Sequence, residues 1–175
     1  MASSAILREQ LQGAGSLLEG TMDGITPEQA HWQPTGTAHS IGANYAHTVL
    51  SVDMTVHALL QGAPQLAASD WATRTGLSEL PPGHGAPGPW GEWAARVQID
   101  LPALRAFGQA AFAAADAYLA SLDEASPDRA VDLSAMGFGQ PTVAWLLGTL
   151  IQNVNLHCGE ISCLKGLQGL PGYPV

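Results

Sequence analysis

The chain has 175 residues, 46% of them hydrophobic and only 12% charged, a composition that gives one globular domain with a real core and excludes disorder. Its 15 acidic residues against 6 basic ones give a formal charge of −9, so no basic patch is visible for nucleic acid, and anionic membrane surfaces are disfavoured for the same reason. No apolar run approaches the roughly 20 residues of a spanning helix, and MASSAILREQ lacks the charged prelude and apolar run of a signal peptide, so the expected location is the cytoplasm.

A first helix is predicted from about Ser4 to Met22, where Leu7, Leu11, Ala14, Leu18 and Met22 step by three or four and make one core face. Thr26 with Gln29 three residues on forms a capping box, and Pro27 suits the first helical position. That predicts a short turn of helix ended by Gln33-Pro34, with Trp32 closing an end of the core. A second long helix is predicted from Ser40, a good N-cap, to Gly62. Its apolar residues fall on two faces, one with Ile41, Tyr45, Val52, Val56 and Leu59, the other with Ala43, His47, Leu50, Met54 and Ala58. A helix apolar on both sides packs between layers or into a dimer interface. Low charge and this helix together predict a homodimer.

From Ala63 to Gly91 the chain reads as a long Pro/Gly-rich loop carrying Trp71, His84 and Trp90, expected to be pinned to the surface by its tryptophans. A third helical region covers about Trp90 to Leu122, in which Val97, Leu101, Leu104, Gly108, Ala111, Ala115, Leu119 and Leu122 keep helical spacing. Pro102 must kink this helix or mark a restart, because it removes a backbone bond. The run AFAAADAYLA is rich in small residues and permits close helix approach. The last helix is predicted from Pro141 at its first position to Gly166 just past its end, with Lys165 where a cation favours the dipole. The expected fold is all-α, a four-helix bundle in a single domain spanning residues 1–175.

At about 100° per residue, Leu146, Leu150, Ile161 and Leu164 of the last helix share one stripe with Asn153 and His157. Polar side chains in such a stripe must find partners or cost roughly 1–3 kcal/mol each. His47 lies in an apolar stripe of the second helix. His31, His39 and His84 fall in loops or at a cap, with solvated or capping roles expected. His57 lies roughly 15 Å beyond His47 along the helix, too far to share a metal with it, and its expected partner is Asp53 in a surface pair. Ligands projecting from facing helices are a known way to build a bundle metal site, and zinc or nickel takes imidazole readily. Glu160, one turn after His157, is the best single candidate for orienting that histidine or for acid–base work. Cys158 and Cys163, five apart on one helix, point away from each other and are expected as unbridged, buried thiols. No HExxH, paired CxxC, GxSxG or phosphate-loop pattern is present.

Two segments carry a resemblance to a known family. TPEQAHWQPTGTAHSIGANYAH and GFGQPTVAWLLGTLIQNVNLHCGEI, with their order and spacing, resemble the DinB/YfiT-like superfamily over nearly the whole chain. The resemblance implies an α-helical bundle, commonly dimeric, that binds a divalent metal through three histidines. Some of its members are transferases or isomerases that use a low-molecular-weight thiol such as mycothiol or bacillithiol. Carried onto this sequence, the ligand positions fall on His47, Asn153 and His157, so the middle histidine is replaced by an amide. The resulting expectation is a metal-dependent protein with an altered site, a thiol-dependent transferase or hydrolase-type enzyme. The alternative is a non-enzymatic dimeric bundle that binds a small ligand or a partner. A role acting directly on DNA does not fit the charge of −9.

Overall fold

The computed structural model describes residues 3–83 and 89–174, and His84, expected in a loop, lies outside them. Among the described residues there are six α-helices, joined by short 3-10 turns and two isolated β-bridges. α1 (Ser3–Thr21) is followed by the five-residue α2 (Pro27–His31), whose capping box forms in both directions. Thr26 N–H donates to Gln29 Oε1 at 2.9 Å and Gln29 N–H to Thr26 Oγ1 at 3.3 Å. Trp32 does not close the core: it follows α2 and is 37% exposed.

α3 (Ile41–Asp53) begins at Ser40, whose hydroxyl accepts from Ala43 N–H. The helix then widens into a π-helical segment over Met54–Leu60, and Gly62 follows in the left-handed region at φ +63°. The stop at Gly62 is as expected; the π segment is new. The third expected helix is two. α4 (Pro89–Arg96) ends before residues 97–100, and α5 (Leu101–Ala120) restarts with Asp100 as N-cap and Pro102 in the first turn. Pro102 therefore marks a restart rather than a kink, since its missing N–H costs nothing in a first turn.

α6 (Val143–Leu167) starts later than expected. Thr142 is the N-cap, while the carbonyl of Pro141 accepts from Val131 N–H at 2.8 Å and ties the preceding connection down. The left-handed residue past the end is Gly169 at φ +76°, not Gly166, which is helical. Lys165 is buried rather than solvated, and its ammonium donates to the carbonyl of Thr21 at 2.7 Å. It thus satisfies one of the carbonyls that α1 leaves open in its last turn.

α1 and α3 each pack against both α5 and α6. The expected stripes are the buried ones: Leu11, Ala14 and Leu18 of α1 with Met22 just past its end, Leu104, Ala111, Ala115 and Leu119 of α5, and Leu146, Leu150, Ile161 and Leu164 of α6. Each such leucine or isoleucine contributes roughly 1.5–3 kcal/mol when withdrawn from water. α3 is buried nearly all round, because α5 and α6 of the same chain cover its two apolar faces. At the α3–α5 crossing a Cβ on Gly108 would sit 2.6 Å from Tyr45 Oη, so only glycine permits that approach. No helix among the described residues is long and apolar enough to cross a membrane.

Candidate functional site

The fold brings His47 of α3 and His157 of α6 together, with ring centroids 4.7 Å apart and the rings edge to face. α3 and α6 pack directly, and each histidine sits mid-helix in the face turned toward the other helix. Trp90 of α4 meets His47 edge to face at 4.7 Å, and Trp93 lies 4.6 Å from Trp90. Trp93 is wholly buried and its indole N–H donates to the Glu79 carbonyl at 3.0 Å, which fixes the base of this aromatic column. His39 also meets Trp90, at 6.1 Å.

The ring nitrogen Nδ1 of His157 is 2.7 Å from Glu160 Oε2. A carboxylate on one imidazole nitrogen fixes the ring's orientation and leaves Nε2 as the lone-pair donor. Glu160 itself is largely exposed, so its visible work is to orient His157. His47 Nε2 faces Ser51 Oγ at 3.5 Å, one turn further along α3. Asn153, four residues before His157, lies on the same face of α6. Its side-chain oxygen Oδ1 is buried and has no hydrogen-bond partner among the described residues. Such an oxygen costs about 1–3 kcal/mol unless a cation or a donor answers it.

Two imidazoles and one unanswered amide oxygen fit a divalent cation with mixed nitrogen and oxygen donors. Amide oxygen suits harder ions such as manganese better than it suits zinc or nickel. No group of three or more His, Cys, Asp or Glu side chains with metal-holding geometry is present among the described residues. A third donor here would therefore be of another type, and Asn153 offers the buried amide oxygen.

Beside His47 lies a cavity of about 450 Å³, walled among others by Leu50, Met54, Leu80 and Trp90. One wall runs from Gln65 to Ala68 and is held by Asp53, whose carboxylate accepts from Leu66 N–H at 2.8 Å and Ala67 N–H at 2.9 Å. The same carboxylate meets His57 Nδ1 at 2.9 Å. The His57–Asp53 pair is thus not a surface pair: Asp53 is wholly buried and works as a clamp on the cavity wall. His57 takes no part in the His47–His157 cluster.

The remaining histidine and the cysteines have structural places. His31 donates from Nδ1 to the Pro27 carbonyl and accepts at Nε2 from Ile99 N–H, tying α2 to the start of α5. Cys158 is buried against Thr21 Oγ1 at 3.3 Å, and burial pushes its thiol above the usual range. Cys163 is exposed, contrary to the expectation of a buried thiol; both are unbridged. Trp71 packs on Phe107 and under the Arg74 guanidinium, away from the site. Sequence reasoning missed Ser51 and the edge-to-face contact of Trp90 with His47. Ser51 was findable as the residue one turn from His47, and Trp90 as the aromatic nearest the end of the Pro/Gly-rich loop.

A sequence profile of the DinB superfamily matches residues 10–161. Among solved structures, the chain is similar to a conserved protein from Enterococcus faecalis, with 22% identity, a TM-score of 0.80, and coverage of 95% of this chain and 97% of that one. That likeness concerns the fold. No curated protein matches the sequence.

Proposed function

The chain belongs to the DinB superfamily, and from that premise we propose that His47, Asn153 and His157 form a divalent-metal centre with one weakened ligand. The observation that carries this reading is the buried, unanswered Oδ1 of Asn153 on the α6 face of His157, whose ring lies 4.7 Å from that of His47. His157 would bind through Nε2, because Glu160 engages its Nδ1. Glu160 holds the ring in register and raises its basicity. Trp90 covers part of the His47 ring, and the ring also lines the adjoining cavity. A metal bound here would supply Lewis acidity toward a water or a thiol in an open coordination position. An enzyme acting on a small molecule in the adjoining cavity is the activity this arrangement supports, whether the group activated there is water or a low-molecular-weight thiol.

Protein purified without a metal-affinity tag, incubated with zinc, nickel or manganese and desalted, is expected to retain close to one equivalent of one of them. His47→Ala and His157→Ala should each lose it. Retention below roughly a tenth of an equivalent in the parent, with all three metals, overturns the reading. A second reading, a non-enzymatic bundle that binds a small ligand or a partner, is favoured because no three His, Cys, Asp or Glu side chains among the described residues are grouped to hold a metal.

A further inference from the structure

The cavity beside His47 has a chemical bias that narrows what it can hold. Its apolar walls come from Leu50, Met54, Leu80, Pro81, Pro82 and Trp90, with small residues completing the lining. Its polar lining groups among the described residues are those of His47, Ser51, Gln65 and the indole N–H of Trp90, and none of the described lining residues is Asp, Glu, Lys or Arg. A carboxylate, phosphate or ammonium entering such walls without a counter-charge would lose its hydration and gain nothing comparable. The chain's charge of −9 adds a general repulsion toward anions. The volume of about 450 Å³ lies in the ordinary range for a small-molecule site.

The polar groups are also unevenly placed. His47 and Ser51 lie one turn apart on α3, with Nε2 and Oγ 3.5 Å from each other, so hydrogen bonding is gathered at that side. The Gln65–Ala68 wall is preset by the two backbone bonds to Asp53, so it need not be ordered when a ligand arrives.

We infer that this cavity binds a small, uncharged, mainly apolar molecule whose one hydrogen-bonding group points toward His47 and Ser51. The inference deepens the proposed metal site and rests on that reading only for the reacting group beside His47. A cation held at His47 would answer an anionic atom only at that end, so the charged groups of a thiol cofactor find no partner along the apolar walls, and a neutral co-substrate fits them. A second groove, of about 280 Å³ between α1 and α5, offers a contrast because Arg8 and Asp116 line it as an ion pair.

Two fluorescent probes with the same ring skeleton test this: neutral N-phenylnaphthylamine and its anionic relative anilinonaphthalene sulfonate. Titrations are run in about 0.5 M NaCl, which screens the net charge of the protein. The neutral probe is expected to bind saturably and at least about tenfold more tightly than the sulfonate. Met54→Trp, or Ala68→Trp if the first variant does not melt cooperatively, fills the cavity and should abolish binding. Ser16→Trp, which fills the α1–α5 groove, should leave it unchanged. The inference is overturned if the sulfonate binds as well as the neutral probe, if neither binds saturably, or if binding survives the cavity-filling variants. Repeating the titration in chelator and after metal loading separates the two claims. Neutral-probe binding without metal uptake defeats the metal site alone, and metal uptake without probe binding defeats the cavity inference alone.

Discussion

Asn153 carries a buried amide oxygen with no hydrogen-bond partner among the described residues, in a helix face shared with His157 and otherwise apolar. A leucine there would remove the unsatisfied oxygen while keeping nearly the same volume. Asn153→Leu is therefore expected to raise the unfolding free energy by about 1 kcal/mol in chelator, read by urea denaturation, and to abolish metal uptake. A variant less stable than the parent would show that the oxygen is not a stored cost. At this scale the sequence was highly informative. His47, Asn153 and His157 were legible because polar residues broke apolar stripes, and the structure brings the two imidazoles into contact. Less legible were the burial of Lys165 and the exposure of Cys163, since each depends on how α6 is rotated against α1. Helical spacing fixes angles within a helix, not the partner it meets.

Asp53 links two elements, the end of α3 and the turn at Leu66–Ala68, through two backbone bonds and a contact with His57. Breaking a buried, hydrogen-bonded carboxylate of this kind commonly costs about 3–5 kcal/mol. Asp53→Ala should lower stability by that order and loosen residues 65–68, read as lost amide protection there in hydrogen exchange. Unchanged protection would mean that the turn stands without the clamp. Local rules served the starts of α2 and α3 well, because caps are short-range chemistry: Thr26 and Ser40 each accept from the expected turn. They served the α3 extension and the start of α6 poorly. The π segment over Met54–Leu60 follows directly on the tertiary clamp at Asp53, and Pro141 is drawn into a pairing with Val131. Neither partner is near in sequence.

The whole molecule has all-helical architecture and one contiguous core, as its composition and periodicities required. The bundle expectation erred in helix count because a continuous apolar spacing from Val97 to Leu122 hides the break at residues 97–100. The homodimer expectation rested on low charge and on the two apolar faces of the second helix, and most of the α3 residues on those faces are buried within the chain. For the dimer surface we propose instead the outward face of α6. There Trp145 is 46% exposed and meets Phe138, and Leu156, about three turns on, is 60% exposed. Sedimentation is expected to show a dimer at tens of micromolar that Leu156→Asp and Trp145→Asp weaken. A parent that sediments as a monomer there contradicts it.

The central claim is that an amide stands in for an imidazole in a working but weakened metal site. It is tested most directly by a zinc competition titration of the parent beside Asn153→His, using a chromophoric chelator. The account predicts a single metal site in both proteins, with the variant tighter for zinc by at least about tenfold. A parent that takes up none of zinc, nickel and manganese while the variant binds zinc, or a variant no tighter for zinc than its parent, would contradict it.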